Sequence, residues 1–83
     1  MYRIKIIPHA QKDLDQLEDR AFAKIKNEII SLSKNPRPYG AIKLISEEGY
    51  RIRIEDYRVL YRINDKIKEI FIYRIKHRKE AYR

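Results

Sequence analysis

The sequence predicts a small α+β domain in which an antiparallel β-sheet carries an N-terminal helical hairpin on one face. Two patterns indicate this class: apolar residues recur at helical spacing through residues 9–34, and they alternate with polar residues after residue 41. A chain of 83 residues has room for one domain, spanning 1–83, and for a thin hydrophobic core. The expected order is βααββββ, followed by a short tail.

The first half of the chain predicts one strand and two helices. Residues 2–7 (YRIKII) alternate as a strand does, and Pro8 ends that strand and can occupy the first turn of a helix. Residues 9–19 and 21–34 each place their apolar side chains on one stripe, which predicts a pair of helices. The NPRPYG segment at 35–40 is a helix stop and a loop.

The second half predicts the rest of the sheet. Alternation indicates strands at residues 42–45, 50–54, 57–63 and 67–75. A two-residue turn at Glu55-Asp56 would place Ile52 opposite Val59, and a turn at Asp65-Lys66 would then place Tyr61 opposite Ile70. Residues 77–83 (HRKEAYR) are expected to form a helical turn or a short edge segment.

This register separates the side chains of the sheet into an apolar face and a basic face. The apolar face, expected under the helices, comprises Tyr50, Ile52, Ile54, Val59, Tyr61, Ile63, Ile70 and Ile72. The basic face carries Arg51, Arg53, Arg58 and Arg62 among Leu60, Phe71, Tyr73 and Ile75. The register also predicts that Arg58 faces Tyr73 and that Arg62 pairs with Glu69.

The opposed arginines on the basic face suggest an anion site. Arg53 directly opposite Arg58 is a repulsive pair, and guanidinium groups fit phosphate oxygens with two parallel hydrogen bonds. Neighbouring aromatic rings could stack on bases. A solvated surface is the plain alternative. The residues alone do not choose among RNA, DNA and an acidic protein segment.

Charge and composition narrow the chemistry. With 20 Lys and Arg against 12 Asp and Glu, the net charge is +8, which points to a polyanion, an acidic protein or a membrane surface. The absence of cysteine excludes disulfides, a thiol nucleophile and a thiolate zinc site. No metal site and no cofactor is expected, because the acidic residues are scattered except for an exposed helical group, Asp13, Asp15, Glu18 and Asp19.

Two further features bear on location and mechanism. No signal peptide or membrane-spanning segment is apparent, so a cytoplasmic protein without membrane contact is expected. The spacing of the two histidines, at 9 and 77, does not suggest that they converge as in a two-histidine ribonuclease. RNA cleavage without metal remains possible, because the ribose 2′-OH can be the nucleophile while arginines position and stabilise the phosphate.

Four segments together resemble the RelE/ParE toxin superfamily: NPRP at 35–38, GYRIR at 49–53, DYRVLY at 56–61 and HRKEAYR at 77–83. The resemblance covers essentially the whole chain and is closer to the RelE branch. Members of that branch are ribosome-dependent mRNA interferases of type II toxin–antitoxin systems. The resemblance therefore implies a ribosome-dependent endoribonuclease whose partners are mRNA, the ribosome and a cognate antitoxin, with no small-molecule cofactor.

The resemblance also implies roles for individual residues. Arg51 and Arg53 would hold the mRNA backbone, and Arg58 would contact the scissile phosphate and stabilise the transition state. In the tail, Arg78 would stabilise charge or assist the leaving group, and Tyr82 would stack on a base, orient the nucleotide or act as base. His77 is an alternative acid. Further cations expected to contact RNA are Arg62, Lys76 and Lys79.

Two other functions stay open from the sequence. A ParE-like protein would poison DNA gyrase, although such relatives generally lack this combination of basic residues and tyrosine. A non-catalytic basic module would only bind an acidic or amphipathic partner.

Overall fold

A computed structural model describes residues 1–81 and confirms the α+β class. The strands are β1 (Arg3–Ile6), β2 (Ile42–Lys43), β3 (Tyr50–Ile54), β4 (Tyr57–Asn64) and β5 (Glu69–His77). The helices are α1 (Pro8–Asp15), α2 (Asp19–Ser31) and the short α3 (Arg78–Ala81). No helix within the described part of the chain is long and apolar enough to cross a membrane.

The two long helices form where the apolar spacing predicts them, with shorter limits. Pro8 occupies the first turn of α1, whose buried residues are Ala10 and Leu14. The buried side of α2 consists of Ala21, Ile25 and Ile29. Beyond Ser31 the chain tightens into turns whose amide groups bond to carbonyls three residues back, which is a common way for a helix to end.

The sheet is mixed and not wholly antiparallel, which corrects the sequence-based expectation. Its strand order is β1-β5-β4-β3-β2, and β1 runs parallel to β5 while the other neighbours are antiparallel. The alternation of side chains has the same period in both directions, so it cannot reveal strand direction. Because the helices separate β1 from the later strands, no tight turn forces it to be antiparallel to its neighbour.

The β3–β4 register is as predicted, with Ile52 opposite Val59 and Arg53 opposite Arg58. The predicted β4–β5 register is wrong by two residues, because the turn between these strands spans four residues and not two. The side-chain oxygen of Asn64 accepts hydrogen bonds from the amides of Lys66 and Ile67, and Lys68 has a φ of 55°. Tyr61 therefore faces Ile72, and not Ile70.

A β-bulge then shifts the register by one more residue. Leu60 faces Arg74 whereas Tyr61 faces Ile72, so Tyr73 has no opposite residue on β4. The bulge turns Ile75 into the core, where it is 4% exposed, although the sequence places it on the basic face. It also brings Lys76, and not Tyr73, opposite Arg58.

The predicted Arg62–Glu69 pair is likewise absent, because Arg62 faces Phe71. Glu69 lies next to β1 instead, where its buried carboxylate pairs with Arg3 at 3.1 Å and with Lys5 at 3.3 Å. These contacts follow from the parallel pairing of β1 with β5, which puts Arg3 directly opposite Glu69.

Asp13 joins α1 to the bulged part of β5. Its Oδ2 accepts hydrogen bonds from Arg74 Nε and from the Ile75 amide, both at 2.9 Å. The side chain is 14% exposed, so the prediction of a solvated helical carboxylate was wrong at this position. Since β1 ends at Ile6, Asp13 satisfies a β5 amide beyond the end of that strand.

The core lies between the helices and the predicted apolar face. Ile54, Val59, Tyr61, Ile70 and Ile72 are buried there, and Tyr50, Ile52 and Ile63 pack against them. Two contacts hold the NPRP loop at one end of this layer. The Tyr61 hydroxyl donates to the Pro36 carbonyl at 2.7 Å, and Arg37 pairs with Asp65 at 2.9 Å.

Candidate functional site

Four cations meet on the basic face, which is the side of the sheet away from α1 and α2. Arg53 on β3 faces Arg58 on β4, and Arg58 in turn faces Lys76 on β5. Arg51 stands two residues before Arg53 on the same side of β3. We call these four residues, Arg51, Arg53, Arg58 and Lys76, the basic cluster. The sequence placed the three arginines on this face and gave Lys76 only as a further RNA contact, and the bulge in β5 brings Lys76 opposite Arg58.

Two open cavities border the basic cluster. The smaller is about 160 Å³ and is lined by Gly40, Ile42, Arg51, Arg53 and Arg58. The larger is about 320 Å³ and is lined by Leu44, Glu47, Arg51, Arg58, Leu60 and Lys76. Since Arg51 and Arg58 line both, an extended anion could contact these two residues from either side.

Glu47 is the lining residue that sequence reasoning missed. It lies in the loop between β2 and β3. It lines the same cavity as Arg51, Arg58 and Lys76. No periodicity marks a loop residue, and the only available signal was its position four residues before Arg51. The cavity therefore combines cations with one group that can accept a proton.

The chemistry of the basic cluster suits a phosphodiester. Guanidinium groups remain charged at physiological pH and offer planar pairs of N–H donors to phosphate oxygens. Arg51 and Arg58 are half-buried, which restricts their side chains, while Arg53 is exposed. Cations on three adjacent strands can contact several oxygens of one phosphate and so stabilise charge that develops during its transfer.

Arg62 lies on the basic face but apart from the basic cluster. Its guanidinium carbon is 5.1 Å from the centroid of the Tyr73 ring, a cation–π distance. Burial raises the pKa of Tyr73, as does the charge of Glu47, while Arg62 opposes them. The hydroxyl of Tyr73 consequently stays protonated at neutral pH.

His77 lies on the helix-facing side of the sheet and not with Arg58. Its ring meets the Tyr57 ring edge-on with centroids 5.2 Å apart, and it lines a cavity with Asp13 and Leu17 of the α1 region. Its Nδ1 accepts a hydrogen bond from the Lys79 amide at 3.3 Å. This position makes His77 a cap for α3.

The tail residues are placed at the turn between β3 and β4. The amide of Arg78 donates to the Asp56 carbonyl at 2.6 Å, and its guanidinium is 3.9 Å from the Asp56 carboxylate. The Arg78 side chain is 55% exposed, so this long ion pair leaves it able to move. Lys79 is exposed on α3. Tyr82 lies outside the described residues.

Comparisons with known proteins identify the class of protein. The family model described as ParE toxin of type II toxin-antitoxin system, parDE, matches residues 4–82. The RelBE2 toxin–antitoxin complex of Mycobacterium tuberculosis contains a similar chain, with a TM-score of 0.82 and 31% identity over 93% of this chain and 98% of that one. No curated protein sequence matches.

Two further complexes share the fold. The archaeal RelE–RelB complex from Pyrococcus horikoshii gives a TM-score of 0.80 and 30% identity over 93% of this chain and 94% of that one. The intact E. coli RelBE complex gives 0.81 and 20%, over 93% and 96%, and supports the fold alone. The chain therefore belongs to the RelE/ParE superfamily of toxins from type II toxin–antitoxin systems.

Proposed function

We propose that this toxin is a ribosome-dependent, metal-independent endoribonuclease that cleaves translated mRNA in the ribosomal A site. The observation that supports it most is the basic cluster, where Arg53, Arg58 and Lys76 lie side by side across three strands. Cations on adjacent strands can hold several oxygens of one phosphate at the same time. The proposal places the toxin in the cytoplasm, where mRNA is translated.

The reaction needs little from the protein beyond positioning and charge. The 2′-oxygen of the substrate forms a bond to phosphorus while the bond to the 5′-oxygen of the next nucleotide breaks. The products are a 2′,3′-cyclic phosphate and a 5′-hydroxyl. Arg58 contacts the non-bridging oxygens, and Arg51 and Arg53 hold the backbone in line. The Glu47 carboxylate borders this cavity and is a candidate acceptor for the 2′ proton.

The tail completes the proposed site. Arg78 would leave its long contact with Asp56 and neutralise charge on the leaving 5′-oxygen, which takes a proton from solvent water as the bond breaks. Tyr82 would stack on a base or orient the nucleotide. The proposal does not use His77 as the acid, because its ring faces α1 and not the basic cluster. Arg62, Lys76 and Lys79 would contact the RNA on either side.

The decisive experiment is primer extension on mRNA in a reconstituted translation system. We expect cleavage within the A-site codon by the wild type and a loss of about 10²-fold or more in Arg58→Ala. Arg20→Ala is a matched control, since Arg20 is an exposed arginine on α2 and is not on the basic face. Intact mRNA with the folded wild-type protein would overturn the proposal.

A second function has one specific observation behind it. The family model that matches this chain is described as ParE toxin, so inhibition of DNA gyrase is the alternative to mRNA cleavage. A gyrase supercoiling assay separates the two, because stabilised cleavage complexes with uncut mRNA would favour the ParE-like function. If expression arrested no growth, the third alternative, a non-catalytic interaction module, would be favoured.

A cognate antitoxin is the expected protein partner, because similar chains are found in toxin–antitoxin complexes. We propose that this partner neutralises the toxin by covering part of the basic face or by displacing the tail. Antitoxin affinity after removal of residues 77–83 separates the two routes. An antitoxin that must displace the tail should bind the shortened toxin more tightly, whereas one that covers the basic face should bind both forms equally.

A further inference from the structure

The basic face has a further cavity, apart from the two that border the basic cluster. It is about 610 Å³ in volume, and the side chains that matter to its chemistry are Arg62, Phe71 and Tyr73. Ile7, Glu48 and the turn between β4 and β5 complete the walls. The cavity therefore combines two aromatic rings with charges of both signs, because Glu48 and Asp65 line it as well as Arg62 and Lys66.

The bulge and a glycine together shape this cavity. Tyr73 is the extra residue of the bulge and has no opposite residue on β4. A bulge can change the direction in which the side chain of its extra residue projects. The Tyr73 hydroxyl is buried and lies against Gly49, where a Cβ atom would come within 3.3 Å of it. Arg62 covers the ring, with 5.1 Å from guanidinium carbon to centroid, and faces Phe71 across the strands.

We infer that this cavity, which we call the Tyr73 subsite, binds one nucleotide of the single-stranded mRNA that flanks the scissile phosphate. Arg62, which is exposed, would leave the face of the Tyr73 ring and pair with the phosphate, so that the base could stack on the rings of Phe71 and Tyr73. This inference rests on the proposed endoribonuclease function and deepens it, because it extends the bound substrate beyond the phosphate that is cut.

The spacing agrees with a continuous strand of RNA. Arg58 and Arg62 are four residues apart on β4, so they project from the same side at a separation of about 13 Å. Leu60 lies between them and lines the larger cavity of the basic cluster. An RNA strand that runs from Arg58 along β4 would therefore pass over Leu60 and reach the rings of Phe71 and Tyr73.

The chemistry favours RNA over a peptide at this position. Every base presents a π-face, so aromatic side chains bind single strands with little regard to sequence, and an adjacent arginine adds charge. An apolar side chain of a protein partner could contact the two rings but would bring no negative charge toward Arg62, whereas a nucleotide brings its phosphate. Binding of the antitoxin is thus the competing outcome that the experiment must detect.

The direct test is photocrosslinking on programmed ribosomes. The mRNA carries a 2′-O-methyl group at the scissile position, which blocks the attack, and 4-thiouridine at one nucleotide upstream or downstream. After irradiation, mass spectrometry identifies the crosslinked peptide. We expect one of these positions to crosslink to the β5 segment that contains Phe71 and Tyr73.

Kinetics supplies the second test on the same complexes. In Arg62→Gln and Tyr73→Leu, we expect the toxin concentration for half-maximal cleavage to rise about tenfold, with the maximal rate nearly unchanged. Arg62 is exposed, so its variant should fold even if Tyr73→Leu does not. Tyr73→Phe keeps the ring and should therefore lose less affinity than Tyr73→Leu. Arg58→Ala should instead lower the maximal rate.

The outcomes distinguish this inference from the proposed function. Unchanged half-saturation in Arg62→Gln and Tyr73→Leu, with crosslinks to β3 and none to β5, would overturn the Tyr73 subsite and leave the endoribonuclease intact. If both variants weaken antitoxin binding and leave mRNA cleavage unchanged, the cavity is a protein-docking site and the inference is wrong. If the wild type neither cuts nor crosslinks mRNA, both proposals fail.

Discussion

Arg53 on β3 lies directly opposite Arg58 on β4, so two like charges form a cross-strand pair on the basic face. Such a pair weakens a sheet by a fraction of a kcal/mol, where an opposite charge would stabilise it. Local features that reduce stability are characteristic of functional sites. The pair therefore links the stability of this sheet to its proposed contact with phosphate.

This relationship predicts opposite effects on stability and activity. In Arg53→Gln, the free energy of unfolding should rise by about 0.3 kcal/mol, because the repulsion is removed. The rate of mRNA cleavage should fall, because one phosphate contact is lost. Urea denaturation and the primer-extension assay measure the two effects. Arg20→Gln, on α2, is the control that should change neither. A less stable Arg53→Gln protein would mean that the hydrogen bond from Arg53 Nε to the Glu55 carbonyl, at 3.3 Å, outweighs the repulsion.

A second prediction concerns the dependence of stability on pH. Burial raises the pKa of Asp13, but the hydrogen bonds from Arg74 and the Ile75 amide, with the charge of Arg74, leave the pKa below its ordinary 3.8. A group whose pKa is lowered by folding contributes stability that is fully present above its ordinary value. This contribution is lost as the pH falls through the lowered value. Stability should therefore decrease on acidification below about pH 4.

The variant Asp13→Asn isolates this contribution. At neutral pH it should lower the free energy of unfolding by about 1–3 kcal/mol, because Arg74 loses a charged partner in a partly buried site. Its unfolding free energy should also vary less between pH 5 and 2 than that of the wild type. Asp15→Asn, on the exposed side of the same helix, is the matched control. Equal effects of the two substitutions would contradict the role of Asp13.

The sequence predicted the faces of the sheet better than its registers, for a physical reason. A shift of two residues keeps every side chain on its face, so burial patterns could not distinguish Tyr61 opposite Ile70 from Tyr61 opposite Ile72. The bulge is a shift of one residue, and its only sign in the sequence was an isoleucine at position 75 among basic residues. The two-residue turn at Glu55-Asp56 left no such ambiguity.

The same bulge explains which site residues were predicted in the right place. Arg51, Arg53 and Arg58 precede it and occupy the expected face. Lys76 joins them through the shift, while His77 is turned to the helices. Alternation alone cannot tell which face of the sheet Lys76 and His77 lie on, because the bulge before them shifts the pattern by one residue. Loop residues such as Glu47 have no periodic signal at all, so only the folded chain places them beside the arginines.

The third prediction assigns His77 a positioning role. Its Nδ1 accepts from the Lys79 amide at 3.3 Å and so holds the start of α3, which carries Arg78. An asparagine oxygen can accept the same bond at a helix start. We therefore expect His77→Asn to retain most mRNA cleavage, and His77→Leu to lose several-fold in rate and in protection of the Lys79 amide from hydrogen exchange.

A catalytic role for His77 predicts a different pattern. If the imidazole were the proton donor, His77→Asn would lose as much activity as His77→Leu, and amide protection at Lys79 would remain in the asparagine variant. Tyr57→Phe is a useful control, since it keeps the ring that contacts His77 and alters no hydrogen bond to α3.

The last prediction uses the two glycines as a matched pair. Both have positive φ, 97° at Gly40 and 118° at Gly49, so alanine is strained at either position. At Gly40 a Cβ atom would meet no atom of the described residues within 4 Å, whereas at Gly49 it would lie 2.7 Å from the Tyr61 carbonyl oxygen. Because this oxygen belongs to the backbone of β4, the strand itself would have to shift.

Gly40→Ala should therefore cost about 1–3 kcal/mol of unfolding free energy from backbone strain alone, and Gly49→Ala should cost more. The excess measures how closely β3 approaches β4 beside the Tyr73 hydroxyl, which a Cβ at position 49 would also crowd. Urea denaturation of both variants gives the comparison. Equal losses would mean that the approach is not tight. A larger loss in Gly49→Ala, together with weaker mRNA binding than in Gly40→Ala, would connect the glycine of the GYRIR segment to the shape of the basic face.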